Sequence, residues 1–375
     1  MGGIFETVEV VFYFLVVLTP LVFVHEFGHY WFARRAGVRV EVFSVGFGRE
    51  LFGYTDKSGT RWRFSLIPFG GYVKMFGQSD LEPDEGEEEL SEDEKKVAFF
   101  AKSLGQKAAI VAAGPFANLL FALLIFTVLF ATAGQPFTPA IVSEVVPGSA
   151  AEEAGLEPGD TFTEVAGRSI ERFEEVQQLI RLHPGIPVPI TIDRDGRALD
   201  LVATPTVTMQ PDGLGDEARL GVLGVRGLER AYETHSIPTA AWQSVRETVR
   251  LVSVTVTAIG QMFGGERSAK ELGGPIRIAQ MSDSAADAGI ITLFVFAAFL
   301  SINLGLINLL PIPLLDGGHL LFYAYEAVVR RPPGRLVQEF GLKIGLVFVL
   351  GLMLFATFND IARLPMVQRI VSLVT

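Results

Sequence analysis

Cysteine is absent from all 375 residues, which excludes disulfides, thiolate metal ligands and a cysteine nucleophile together. Histidine is scarce, with five, so a bound metal must be held by imidazole and carboxylate. Charge is scarce as well: 19% of the residues are charged, against about a quarter in an average soluble domain. What charge there is sums to −11, which argues against a nucleic-acid partner. Hydrophobic residues, by contrast, reach 49%, and the mean hydropathy is positive.

The apolar residues fall in runs. The first covers about Thr7 to Phe32, with Glu9 and Glu26 as its only acids. The second, about Ala108 to Ala133, has no charge at all; the third covers about Ile290 to Leu315 and the fourth about Leu342 to Phe358. Each is long enough to cross a bilayer, or nearly so. The first lacks a basic start and a small-residue cleavage site, so a removable signal peptide is not expected. Four spans put both termini on one side. Basic residues follow the first span (Arg34, Arg35, Arg39), precede the second (Lys95, Lys96, Lys102, Lys107) and separate the third from the fourth (Arg330, Arg331, Arg335), while none occurs from Ala108 through Gly167. By the positive-inside rule those loops are cytoplasmic and the long segment between spans two and three lies outside. The acidic run 79–94 reads as a solvated linker in the first cytoplasmic loop.

The outside segment has its own pattern. Residues 141–180 read as strand, turn, short helix, Gly-Asp turn, strand, turn and helix, and 188–205 as a hairpin about Arg194 to Gly196. With "PGSAAEEAGLEPGD" as its most specific stretch, this resembles a PDZ domain of the bacterial protease type, over about 138–206. The resemblance implies a sheet edge able to accept a peptide as an added strand, or a domain that excludes bulky substrates by size. Segment 238–263 has near-helical spacing and is expected to lie on the membrane surface as an amphipathic helix.

The chemistry concentrates in "HEFGH", residues 25–29. His25 and His29, four apart on a helix, share one face and can grip one Zn²⁺. Glu26 beside them is placed to take a proton from water activated by the metal, the HExxH arrangement of zinc peptidases. Ionisable groups inside an apolar span are costly and usually functional. A third ligand must come from elsewhere, and at the matching depth the topology leaves Asp316 and His319, beside "NLLPIPLLDGG" (308–318). Its two prolines prevent a regular helix, and irregular backbone at membrane depth is tolerated where it lines protein or a water cavity.

These motifs, in this order, resemble the site-2 proteases, the intramembrane zinc metalloproteases, and most closely their bacterial RseP-type branch, over nearly the whole chain. "HEFGH" corresponds to the family's HExxH, and "NLLPIPLLDGG" to its NxxPxPxLDG. The latter implies Asp316 as third zinc ligand and Asn308 as a substrate contact. "AGPFANLL" carries the GPxxN pattern at Gly114, Pro115 and Asn118, which adds Pro115 and Asn118 as substrate-binding candidates. Residues 46–77 resemble the family's membrane-dipping β-hairpin. There the strand formers of "RWRFSLIPFGGYVKM" (61–75), ending at Gly70 and Gly71, suit an edge strand that holds an unwound substrate extended. Where some relatives have tandem PDZ domains, one is found here.

The expected protein is a polytopic α-helical membrane protein. Its segments are 1–35 (span one), 36–106 (re-entrant β region and acidic loop), 107–135 (span two), 136–206 (PDZ domain), 207–288 (amphipathic region), 289–320 (span three) and 321–375 (cytoplasmic loop, span four and C-terminus). The resemblance implies a bacterial inner-membrane zinc endopeptidase with a periplasmic PDZ domain and an active site toward the cytoplasm. Its implied substrates are single-pass membrane proteins, such as anti-sigma factors, or remnant signal peptides. A non-proteolytic PDZ scaffold would need no zinc set. A transporter would show an inverted repeat, and HExxH has no counterpart in the second half.

Overall fold

The computed structural model describes residues 2–78, 91–211, 217–229, 231–264 and 273–362. Most of the acidic run, 79–90, lies outside the described residues. The chain divides into two compact units: 1–127, 241–256 and 269–375 form the first, and 128–240 with 257–268 the second.

Helix α1 (Gly2–Arg35) opens the chain and ends on Arg34 and Arg35, cations placed at the negative end of the helix dipole. Strands β1 (Val40–Thr55) and β2 (Arg61–Met75) follow, then a short helix α2 (Glu92–Val97) begun by a Ser91–Glu94 capping box. Helix α3 (Leu104–Thr132) starts on a second such box: Gln106 N–H donates to Ser103 Oγ, and the Gln106 amide oxygen accepts from Ser103 N–H. β1 and β2 bend so sharply that two strands serve as four. Residues 40–45 pair with 71–75 on one side and with 61–64 on the other, and 52–55 take the far side of 61–64. Segment 71–75 is thus an outer edge with no further strand partner among the described residues. Phe43 stacks on Trp62 at 4.3 Å, and Tyr30 of α1 packs edge-on to both, fastening the sheet to the helix.

The second unit holds β3 (Gln135–Phe137), β4 (Val142–Val145), α4 (Ala150–Glu153), β5 (Thr161–Val165), β6 (Arg168–Ser169), α5 (Phe173–Arg181), β7 (Val188–Arg194), β8 (Arg197–Ala203), β9 (Thr206–Pro211), β10 (Glu217–Val222), β11 (Val225–Gly227) and β12 (Ala231–Glu233). Strands β6-β5-β7-β8 form an antiparallel sheet, and β3–β12, β4–β11 and β9–β10 pair two by two. One face of this sheet is buried against Val176 and Ile180 of α5: Ile190 and Ile192 alternate along β7, and Phe162 and Val165 of β5 join the same core across a register shift. The strand, helix and hairpin order expected of a PDZ domain is present, with β9 to β12 continuing it beyond residue 206.

Helices α6 (Ile237–Gly264), α7 (Pro275–Asp287), α8 (Ile290–Leu309), α9 (Asp316–Val329) and α10 (Arg335–Ala362) complete the chain. Among the described residues four helices are long and apolar enough to cross a membrane: Val8–Arg35, Leu104–Thr132, Ile290–Leu309 and Arg335–Ala362. Helix α6 covers the segment 238–263 expected to be helical. Its small and hydroxyl-bearing residues Ala240, Ser244 and Thr248 are buried, Ser244 bonds Thr127 of α3 (2.9 Å), and Thr255 donates to Asn303 of α8 (3.1 Å). Trp242, Val245 and Val249 face outward. Arg246 and Arg250 are exposed as well, so the outward face is mixed. Helix α7 packs Ile278 and Ala285 against Val17 and Leu21 of α1, and its first turn is capped by Asp360 of α10. The two Asp360 oxygens accept from Gly274 N–H (3.0 Å) and Arg277 N–H (2.9 Å). Helix α9 was not foreseen: after the break at 310–315 the chain becomes helical again at Asp316 and stays so to Val329, although a cytoplasmic loop was expected from 321.

Candidate metal centre

The cluster is assembled from α1 and the start of α9. The period of α1 sets His25 and His29 one above the other. The 310–315 break turns the chain so that Asp316, in the first turn of α9, meets them. His25 Nε2 lies 3.2 Å from Asp316 Oδ2, His29 Nε2 3.5 Å from the same oxygen, and the two Nε2 atoms are 3.3 Å apart. Bonds of 2.0–2.1 Å in a tetrahedral zinc site place ligands about 3.3 Å apart. The observed triangle has those edges. Asp316 Oδ2 is also buried without a hydrogen-bond partner, although a native interior rarely leaves such an oxygen unpaired. The donor set, two imidazoles and a carboxylate, is one that zinc takes when a fourth position is left for water.

A cavity of about 430 Å³ opens onto this triangle. Glu26 lines it beside the histidines, with Asn308, His319, Leu314 and the edge residues Gly71, Tyr72 and Val73. Among the described residues the converging ligand group contains Asp316 and not His319, which stands in the cavity wall. Gly71 brings the sheet edge against α1: a Cβ there would lie 2.6 Å from the Ser44 carbonyl and 2.9 Å from Glu26 Cγ. Gly70 does not line the cavity, its vacant side being filled by the Phe47 ring. Gly114 is a second close approach, where a Cβ would sit 2.2 Å from His29 Nε2. Leu314, at φ +109, holds a backbone conformation that costs a β-carbon of order 1–3 kcal/mol.

Pro115 and Asn118 differ from their expected place. Both are buried and neither lines the cavity. The Pro115 carbonyl faces Gly305 of α8, and Asn118 stands behind His25 with its amide 3.3 Å from Nδ1. Helix α3 turns this face toward α1 and α8 because Gly28 and Gly305 let the backbones close up there. Sequence reasoning also missed the backbone carbonyl of Ile110, which accepts from His29 Nδ1 at 2.9 Å. A carbonyl partner leaves no residue-type signal.

The profile described as Peptidase family M50 matches residues 13–352. A protein of Agrobacterium fabrum bearing the name "Putative zinc metalloprotease" is 44% identical, over 94% of this chain and 95% of its own. "Metalloprotease MmpA" of Caulobacter vibrioides is 35% identical, over 96% and 97%. A crystal structure of the PDZ domain of an SdrC-like protein from Listeria monocytogenes is 19% identical; it covers 25% of this chain and 90% of that one, with a TM-score of 0.19.

Proposed function

The chain belongs to peptidase family M50, the site-2 proteases, and on that premise we propose that this zinc metalloprotease cuts the transmembrane segments of single-pass membrane proteins. The observation that carries the proposal is the His25–His29–Asp316 triangle opening with Glu26 into one cavity, on a helix long enough to span a bilayer. His25 lies ten residues before the end of that helix, or about 15 Å at 1.5 Å per residue, within the apolar run.

His25, His29 and Asp316 hold zinc, which when bound lowers the pKa of water and polarises the scissile carbonyl. Glu26 accepts the proton of the attacking water and returns it to the departing amine nitrogen. A helix hides its carbonyls in its own hydrogen bonds, so the substrate must first unwind. The edge 71–75, with Gly71 to Val73 in the cavity wall and no further strand partner among the described residues, is suited to hold the opened segment as an added strand, and Asn308 lines the same cavity. In this reading the protein sits in a bacterial inner membrane, with the second unit outside and the metal toward the cytoplasm. Its substrates are anti-sigma factors already trimmed outside, or remnant signal peptides, and the PDZ domain screens them.

The test is cleavage of a single-pass reporter by purified protein in detergent, wild type beside Glu26→Gln, with and without a zinc chelator. Both the substitution and the chelator are expected to abolish cleavage. Cleavage that persists in Glu26→Gln would overturn the mechanism.

A further inference from the structure

Both imidazoles of the cluster turn Nε2 toward Asp316. An imidazole that ligates through Nε2 carries its proton on Nδ1, and that proton needs an acceptor to hold the ring in place. For His29 the acceptor is the Ile110 carbonyl, 2.9 Å from Nδ1. For His25 the neighbour is Asn118, whose amide nitrogen lies 3.3 Å from Nδ1 while its oxygen is buried and without a partner. A nitrogen donor facing a protonated ring nitrogen is a repulsive contact. The oxygen and nitrogen of an amide are told apart only by their hydrogen bonds. A half-turn of the group replaces the donor–donor contact with an N–H···O bond, and leaves the unpartnered side on nitrogen instead of oxygen.

We propose that Asn118 is a positioning residue of the metal centre, its amide oxygen accepting the Nδ1 proton of His25 and so fixing Nε2 toward the ion. The proposal rests on His25 being a zinc ligand, as argued above. The surroundings hold Asn118 where the role requires. It has no exposed surface. Ser301 Oγ of α8 donates to its backbone carbonyl at 2.8 Å, and a Cβ at Gly305 of α8 would lie 3.5 Å from its own Cβ. Three helices therefore meet at one amide, with α1 supplying the ligand, α3 the acceptor and α8 the brace. The two histidines are unequal in a useful way: the support of His29 is backbone and beyond substitution, whereas that of His25 is a side chain.

The test measures zinc affinity by chelator competition on full-length protein in detergent, together with the visible spectrum of the cobalt-substituted protein. Wild type holding zinc that His25→Ala releases establishes the ligand set; if it does not, the zinc reading itself fails, whatever Asn118 does. Against that reference Asn118→Leu, of similar volume and without an acceptor, and Asn118→Ala are each expected to bind zinc about 10- to 100-fold more weakly, with altered cobalt bands. Asn118→Asp keeps an oxygen facing Nδ1 and is expected to stay within about threefold of wild type. A merely structural role would not let the aspartate rescue what leucine and alanine lose. If Asn118→Leu does not fold, Asn118→Ala decides. Wild-type affinity in a folded acceptor-free variant, or a loss in Asn118→Asp equal to theirs, overturns the proposal.

Discussion

Two carboxylates, one in each unit, are treated in opposite ways: Asp160 is buried, and Asp316 is half-buried with its Oδ2 shielded from solvent. Asp160 in the second unit is fully matched: Arg194 donates to its two oxygens at 2.6 and 2.8 Å, and Glu157 N–H donates at 2.8 Å. Asp316 in the first unit faces two imidazole nitrogens and leaves Oδ2 without a hydrogen-bond partner. The first arrangement is closed and has nothing left to offer a ligand. The second is open, with three lone-pair atoms aimed at one point. Burial alone therefore does not separate a structural acid from a functional one; unused ligand capacity does.

Substitutions should sharpen that contrast. The largest effect is expected at Glu26: Glu26→Gln should cut kcat by about 10²- to 10⁴-fold while zinc content, read by atomic absorption, stays intact. Asp316→Ala should lose zinc and activity together but leave the fold of the second unit unchanged. Zinc retained in Asp316→Ala would shift the third-ligand assignment to His319, the other cavity histidine. Asp160→Ala should do the reverse. It removes the carboxylate that accepts three hydrogen bonds, leaves Arg194 with Glu157 and the Gly155 carbonyl, and is expected to loosen the second unit while zinc affinity stays untouched. Hydrogen exchange of the β5 and β7 amides would report it.

The same pair predicts a pH effect. Burial pushes the Asp160 carboxyl upward, but the Arg194 hydrogen bonds, the Glu157 N–H and the Arg194 charge together hold it below its ordinary value. A depressed folded-state pKa contributes stability in full above the unfolded value, near pH 4, and loses it as pH falls toward the folded value. Exchange protection of the second unit should thus fall below about pH 4 in wild type, and Asp160→Asn should flatten that dependence. The smallest effect is expected at a third acid. Asp360 caps α7 through two backbone N–H groups, and Asp360→Ala should cost about 1 kcal/mol, seen as faster exchange at the start of α7 and unchanged zinc binding.

How much of this was legible beforehand varies by element. The four membrane-length helices announce themselves because an apolar run of that length has one stable solution in lipid. His25, Glu26 and His29 were legible because an i, i+4 pair needs only one helix to bring it together. Helix α9 was hidden by the Pro and Gly residues of 311–318, which read as a turn but stop one helix and start another. Helix α6 was legible as a helix, but near-helical spacing says that two faces differ without saying which of them meets protein. Asn118 was recognised as part of a motif yet assigned to the wrong side of the histidines, since a motif gives no direction.

Sequence by itself determined what is local or compositional: the absence of thiolate chemistry, the spans, the paired histidines with their glutamate, and the alternating strands of the second unit. Only the tertiary structure decided how far apart the ligand atoms lie, that Asp316 and not His319 completes the triangle, that segment 71–75 ends as a sheet edge in the cavity wall, and that Asn118 backs His25. These are relations between segments as much as 291 residues apart, from His25 to Asp316. They depend on how helices bearing Gly28, Gly114 and Gly305 close on one another, a packing geometry that no local pattern encodes.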